Sequence, residues 1–530
     1  MAIDLKQTAI DPDVAVPPTR NTVEALRDAL GDLQGNILKS HGRDHSRHLF
    51  ITFAVDTAEQ RQKARAWLAG MVSENRVTSA LQQWDTAKAH REALETIRGN
   101  GGVSAKDATA LLKSASGAFY GLLVSAAGYR DLKVPALSLP DDPSFRAGAK
   151  AQVGLLNDPP VDKWEDQFQR TLHALVIVAD DFPDRLDWLA AELHAELTAL
   201  GAKISEEHGT AMRLDADGKP DPQAPVREHF GFVDGISQPL FYARDIEDAH
   251  TRQGGIDRYD PSAPLDQVLV PDPGGADHSY GSYFVYRKLE QDVAGFRRDE
   301  QALAKKITAN ARPKYKETDP VPQEYVDLAG AYMVGRFQDG TPVVDRPVKG
   351  LGPLPNNFDY DADPDGVRCP FQGHIRKSNP RGDKQRQFGQ PVTQERTVRI
   401  VRRGISYGKV TLTPDPDDKV GLLFLCAQSS IADQFEFIQN QWANNPVFLR
   451  DGSGIDPVIG RRPPGSTTKY PADWPKLYGS RNDLDFSQNP PRVVGHTFTE
   501  TVGEWVTMKG GEYFFVPSLT TLKSLAGVKE

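Results

Sequence analysis

A chain of 530 residues, 39% hydrophobic and 25% charged, has an ordinary globular composition and exceeds the usual size of one domain, so two similar domains or one domain with large insertions are expected. No run of about 18 apolar residues could cross a bilayer, and a formal charge of -9 supplies no basic field for nucleic acid. The opening Met1-Ala2-Ile3-Asp4-Leu5-Lys6 lacks the pattern of a secretory signal. Two cysteines, Cys369 and Cys426, are too few for a disulfide framework and suit a reducing compartment. A cytoplasmic location with no membrane or nucleic-acid partner is expected.

In chain order, Leu49 to Val55 is an apolar and β-branched run, and Thr57 to Gln60 has the spacing of a helix capping box, so strand then helix is predicted. The order recurs at His173 to Ala179 and Asp184 to Leu200,. Asp215 to Pro225 is rich in turn formers and charge, which marks a linker or exposed loop and divides the chain into residues 1–220 and 221–530. Gly281 to Leu289 reads as a strand. Thr397 to Arg402 alternates apolar and basic residues as a half-buried strand does, with Arg402 inward. Gly421 to Ala427 reads as a buried strand, and Ser430 to Trp442 has helical spacing. Asp260 to His278, Pro342 to Val367 and Pro446 to Asn489 are Pro/Gly-rich and read as loops over a site or interface. Ser518 to Leu525 reads as a terminal helix. The class is α+β.

Of the 12 histidines, most lie in polar stretches. His374 stands apart in Cys369-Pro370-Phe371-Gln372-Gly373-His374-Ile375-Arg376-Lys377-Ser378-Asn379-Pro380-Arg381. There an imidazole is followed by two guanidinium groups, Arg376 and Arg381, able to hold a flat ligand bearing carboxylates. A capped turn with surface arginines is the alternative for this segment alone. Cys369 with His374 lacks the second ligand pair a zinc site needs, and no C-x-x-C-H exists for covalent haem attachment. A second segment, Gly231-Phe232-Val233-Asp234-Gly235, puts a carboxylate between glycines in an apolar run, where an unpaired charge is costly. Arg402, in Ile400-Val401-Arg402-Arg403-Gly404, is a cation that could pair with it.

Together these segments resemble the dye-decolourising peroxidase family, with its G-x-x-D-G motif, a later C-P-x-x-x-H-I-R-K-x-N-P-R and an arginine after that. Weaker likeness covers Leu33 to Leu38, Gly281 to Leu289, Val334-Gly335-Arg336 and Leu422 to Trp442. The length and long loops are more similar to the larger bacterial and fungal members. Gln372-Gly373 departs from the small residues commoner before the histidine.

The resemblance implies two ferredoxin-like halves, each an antiparallel sheet with helices, and haem b held non-covalently in the C-terminal half. It implies His374 as the iron ligand, with Asp234 and Arg402 as catalytic base and cation on the opposite face. Arg402 is preferred to Arg403 because it directly follows Ile400-Val401. Asp456 is the candidate carboxylate behind the imidazole, with Glu436 second. The implied partners are hydrogen peroxide and small aromatic or dye donors. An aspartate base would suit mild acid, since unperturbed values are about 3.9 for Asp and 6.5 for His. The competing reading is a haem-binding or haem-delivery protein, which would use His374 but need no pairing of Asp234 and Arg402.

Overall fold

The computed structural model describes residues 2–17, 20–99, 111, 117–350, 355–480, 483–485 and 492–529. In strand β1 (His45–Thr52) side chains alternate between two buried faces: Phe50 joins one apolar cluster, Leu49 and Ile51 another,. Helix α1 (Ala58–Ser73) begins with the capping box expected from sequence, Gln60 N donating to Thr57 Oγ1 at 3.2 Å and Thr57 N to Gln60 Oε1 at 3.0 Å,. Strands β2 (Phe119–Ser125) and β3 (Ala174–Asp180), helix α2 (Pro183–Ala199) and strand β4 (Lys203–Thr210) follow. The sheet order β2-β3-β1-β4, antiparallel throughout, is that of a ferredoxin-like β-α-β-β-α-β unit.

The second half repeats the plan. Strand β5 (Tyr280–Gln291) leads into helix α3 (Val293–Ala311), then a long connection holding helices α4 (Gln323–Val334) and α5 (His374–Ser378). Strands β6 (Ile405–Tyr407), β7 (Gly421–Gln428) and β8 (Val506–Val516) complete a sheet in the order β6-β7-β5-β8. Phe514 and Phe515 of β8 pair with Ser125 and Val124 of β2, which joins the two sheets edge to edge.

Inner faces of the two sheets share one apolar core, where the Phe50 and Tyr286 rings meet edge-on at 4.8 Å. Leu68 of α1 and Leu186 and Leu193 of α2 cover the outer face of the first sheet. Each such Leu or Phe contributes about 1.5–3 kcal/mol by leaving water.

Two expectations need correction. Val392–Thr397 is helical and the strand is only Val401–Arg402, because Glu395 turns inward to accept from Gly382 N at 3.1 Å and the Arg399 carbonyl is claimed by Gln267 and Gln434 side chains at 2.6 and 2.8 Å. The segment after Ser430 winds as wider π-type turns, Ile431–Glu436 and Ile438–Ala443, a form that is frequent at functional sites. Asp215 to Pro225 is, as expected, a largely exposed stretch of turns, the first closed by Asp215 N donating to Lys219 O at 2.9 Å. The terminal helix is present as Leu519–Ser524. Of the expected loops, residues 351–354, 481–482 and 486–489 lie outside the described residues. Among the described residues no helix is long and apolar enough to cross a membrane.

Candidate active site

A cavity of about 670 Å³ opens mainly among residues of the C-terminal half, walled by Leu289 of β5, Leu422 and Phe424 of β7, and Ile375 of α5, with His41, Arg43 and Arg213 from the first half also lining it. His374, Asp234 and Arg402, which lie in three separate stretches of sequence, all line it.

The His374 wall depends on one glycine. Gly335 ends α4 with φ +97°, and a Cβ there would lie 2.3 Å from Ile375 Cγ1, so only glycine lets α5 seat against α4. His374 is the first residue of α5, and its Nδ1 meets Asp456 Oδ2 at 2.8 Å. Asp456 is fully buried, and its Oδ1 accepts from Val458 N at 2.8 Å and Ile459 N at 3.0 Å. With the carboxylate as acceptor, the imidazole proton sits on Nδ1 and Nε2 keeps a lone pair. Glu436 lies elsewhere, accepting from Ser144 Oγ at 2.7 Å and Tyr513 Oη at 3.0 Å.

Across the cavity, Asp234 Oδ1 accepts from Gly235 N at 2.6 Å, and Oδ2 has no hydrogen-bond partner among the described residues. Gly235 has φ +80° and nothing within 4 Å of where a Cβ would stand, so the turn and not close approach demands glycine there. Arg402 is not the ionic partner of Asp234. Its Nη2 donates to Ile236 O at 2.8 Å and its N to Gln238 Oε1 at 3.0 Å, so the backbone beside Asp234 orients the guanidinium. Arg403 is turned away to the carbonyls of Asn36 and Ile37, at 2.9 and 2.7 Å. His229 is wholly buried with Nε2 2.9 Å from Tyr407 O, and burial lowers its pKa.

The two candidate carboxylate-binding arginines separate. Arg376 is wholly buried and does not line the cavity: Asp363 and Asp383 hold it at 2.8 and 2.7 Å. Its charge is spent on fastening the loop around α5, and removing one partner of such a buried pair generally costs about 3–5 kcal/mol. Arg381 does line the cavity, donating to Ser237 Oγ at 2.8 Å, its guanidinium 3.7 Å from the Tyr259 ring centroid. Arg336 and Arg399, which sequence reasoning did not single out, stand on the same wall. Burial, then Arg381, pull Arg336 down to about 9, and Arg399 Nη1 is buried with no hydrogen-bond partner among the described residues. Tyr259 lies among them; burial raises its phenol, but Arg399 and Arg381 outweigh this and bring it to about 7. Such an under-neutralised cationic wall fits a ligand with two carboxylates, as haem has. Cys369 is buried and its thiol pushed up to about 12 by burial, which does not favour a Cys369–His374 metal site.

The chain is 38% identical over 514 residues to the multifunctional dye peroxidase DyP2 of an Amycolatopsis species, covering 94% of this chain and 96% of that one. The chain belongs to the dye-decolourising peroxidase family. It is an oxidoreductase, a haem peroxidase of that type. The dye-decolorizing peroxidase msp1 of the fungus Mycetinis scorodonius is 32% identical, with 74% of each chain covered. The solved structure of a DyP-type peroxidase from an Anabaena species superposes with a TM-score of 0.80 at 37% identity, covering 98% of this chain and 99% of that one. No family model matches the chain.

Proposed function

We propose that this peroxidase binds haem b non-covalently, with His374 Nε2 on the iron and Asp234 and Arg402 serving hydrogen peroxide on the opposite face, and that it oxidises phenolic, other aromatic or dye donors. The observation that carries this is one cavity bearing an imidazole backed by a buried carboxylate, a carboxylate oxygen without a partner and a guanidinium fixed by backbone. Arg381, Arg336 and Arg399 would hold the two propionates, while Arg376 supports the loop from within.

Haem, when bound, supplies the redox chemistry. Breaking the O–O bond of peroxide requires a proton to leave one oxygen and reach the other while charge builds on the departing one. Asp234 Oδ2 takes and returns that proton. Arg402, already oriented by Ile236, directs its remaining N–H groups at the developing charge without reorganising. Asp456 keeps His374 in one tautomer and raises its basicity. A haem carrier would need neither Asp234 nor Arg402. The two cysteines, both buried as free thiols, support a cytoplasmic location.

The test is the absorbance spectrum of purified wild-type protein and His374→Ala. The wild type should show a Soret band and reduce peroxide, and the variant should lose most haem and turnover. Full haem occupancy with unchanged turnover in the variant would overturn the iron-ligand assignment.

A further inference from the structure

The same cavity has a second cationic end. Arg461 and Arg287 line it beside Phe435, Val458 and Met508. Arg287 is neutralised by a bidentate pair with Asp158, Nη1 to Oδ2 at 2.8 Å, and lies over the Phe435 ring at 5.5 Å. Arg461 has no such partner. Its guanidinium donates no hydrogen bond among the described residues, and Nη2 is buried. The two carboxylates that act on it electrostatically are Asp158 and Glu504. Asp158 is held by Arg287 and Glu504 by Arg462, Nε to Oε2 at 2.6 Å.

The position of Arg461 is built. Its N donates to Asn444 Oδ1 at 2.8 Å, its carbonyl accepts from Asn157 Nδ2 at 3.0 Å, and Gln439 Nε2 holds the preceding Ile459 carbonyl-bearing turn at 2.8 Å. Asn444 and Gln439 belong to the π-wound segment and its end, so that winding and this arginine form one wall. A shielded guanidinium left without a counter-charge is costly; burial, the largest influence, lowers its pKa, and Arg287 adds to this.

We infer that Arg461 anchors a subsite for the carboxylate or sulfonate of an anionic aromatic donor, whose ring would lie against Phe435, Val458 and Met508. The propionates of haem b do not answer for this charge as well as for the first cationic wall. Both leave one edge of the macrocycle, whereas the charged groups that act on Arg461 are Glu504, Asp158 and Arg287, with Arg336, Arg381 and Arg399 not among them. Use of the bound donor as a reductant rests on the haem peroxidase reading; binding of the anion does not.

The probes are benzenesulfonate, benzoate and uncharged benzyl alcohol, titrated calorimetrically into haem-free and haem-loaded protein, for wild type, Arg461→Met and Arg461→Lys. Wild type should bind the two anions at least about tenfold more tightly than the alcohol, a difference of about 1.4 kcal/mol. In haem-loaded protein Arg461→Met should abolish the preference and Arg461→Lys retain part of it; in haem-free protein, where Arg336, Arg381 and Arg399 also face the cavity, Arg461→Met should remove only the part of the anion affinity that Arg461 supplies. The KM for 4-hydroxybenzenesulfonate should rise in Arg461→Met relative to that for phenol. An anion affinity in Arg461→Met equal to that of wild type, with or without haem, overturns the subsite. So does a loss of affinity for haem, but not for haem dimethyl ester, in that variant, because Arg461 would then serve the cofactor's own carboxylates. Absence of a Soret band and turnover in wild type would instead overturn the peroxidase reading, and the titration of haem-free protein would still decide the subsite.

Discussion

Asp456 accepts the Nδ1–H of His374 at 2.8 Å from 82 residues further along the chain. Its other oxygen is occupied by two backbone N–H groups, and its own N donates to Ala443 O at 2.8 Å. The carboxylate therefore cannot turn away from the ring without leaving buried donors unpaired, at about 1–3 kcal/mol each.

Asp456→Asn keeps the shape but offers the ring an amide. Haem affinity or peroxide turnover should fall by about 10–100-fold, the usual effect of losing the partner behind a metal-bound imidazole. Haem dissociation kinetics followed at the Soret band check this, and wild-type kinetics in the variant would make Asp456 purely structural.

Arg402→Leu should retain haem and slow the reaction with peroxide by about 10²–10³-fold, as for other groups aimed at developing charge. Arg403→Leu should act on stability, since it strands the carbonyls of Asn36 and Ile37. Stopped-flow rates and melting temperatures of both variants separate the two roles; a large rate defect in Arg403→Leu alone would reverse them.

Asp234→Asn should slow peroxide activation by about 10²–10⁴-fold, the range for a positioned proton-transfer group. Wild-type rates should be highest in mild acid, where an imidazole base would be protonated. A rate that rises only above neutrality would point to histidine, yet His229, the nearest candidate in sequence, is bonded to the Tyr407 carbonyl away from the cavity.

Tyr259 should titrate near neutrality in haem-free protein, because Arg399 and Arg381 lower its phenol from 10.0 to about 7 despite burial. A depressed phenol contributes stability that is complete above the unfolded value near 10 and is lost as pH falls through 7. The melting temperature of wild type minus that of Tyr259→Phe should therefore grow between pH 7 and 10. Near-ultraviolet absorbance should show the tyrosinate directly, and haem, by bringing anions to the same arginines, should move its appearance to higher pH. A phenol that titrates only near 10 without haem would contradict this.

Much of the fold was legible because it rests on local pattern. The short apolar and β-branched runs at Leu49, Ala174 and Gly421 became strands, and the Thr57 to Gln60 spacing became a capping box, since both signals lie within a few residues. Thr397 to Arg402 misled because its alternation was real in sequence, whereas the backbone there answers to Gln267 and Gln434 from distant segments.

The site divides in the same way. The sequence alone determined the chemical inventory: a histidine after glycine, an aspartate between glycines and an arginine after an apolar pair, in motifs short enough to read. Tertiary structure decided which charges are spent and which are free. It buried Arg376 between Asp363 and Asp383, set Arg402 on the Ile236 carbonyl, gathered Arg381 and Arg399 around Tyr259 with Arg336 on the same cavity, and left the Arg461 guanidinium without a hydrogen-bonded anion among the described residues. Charge compensation depends on distance through space and on exclusion of water, and neither quantity is written in the spacing of residues along a chain.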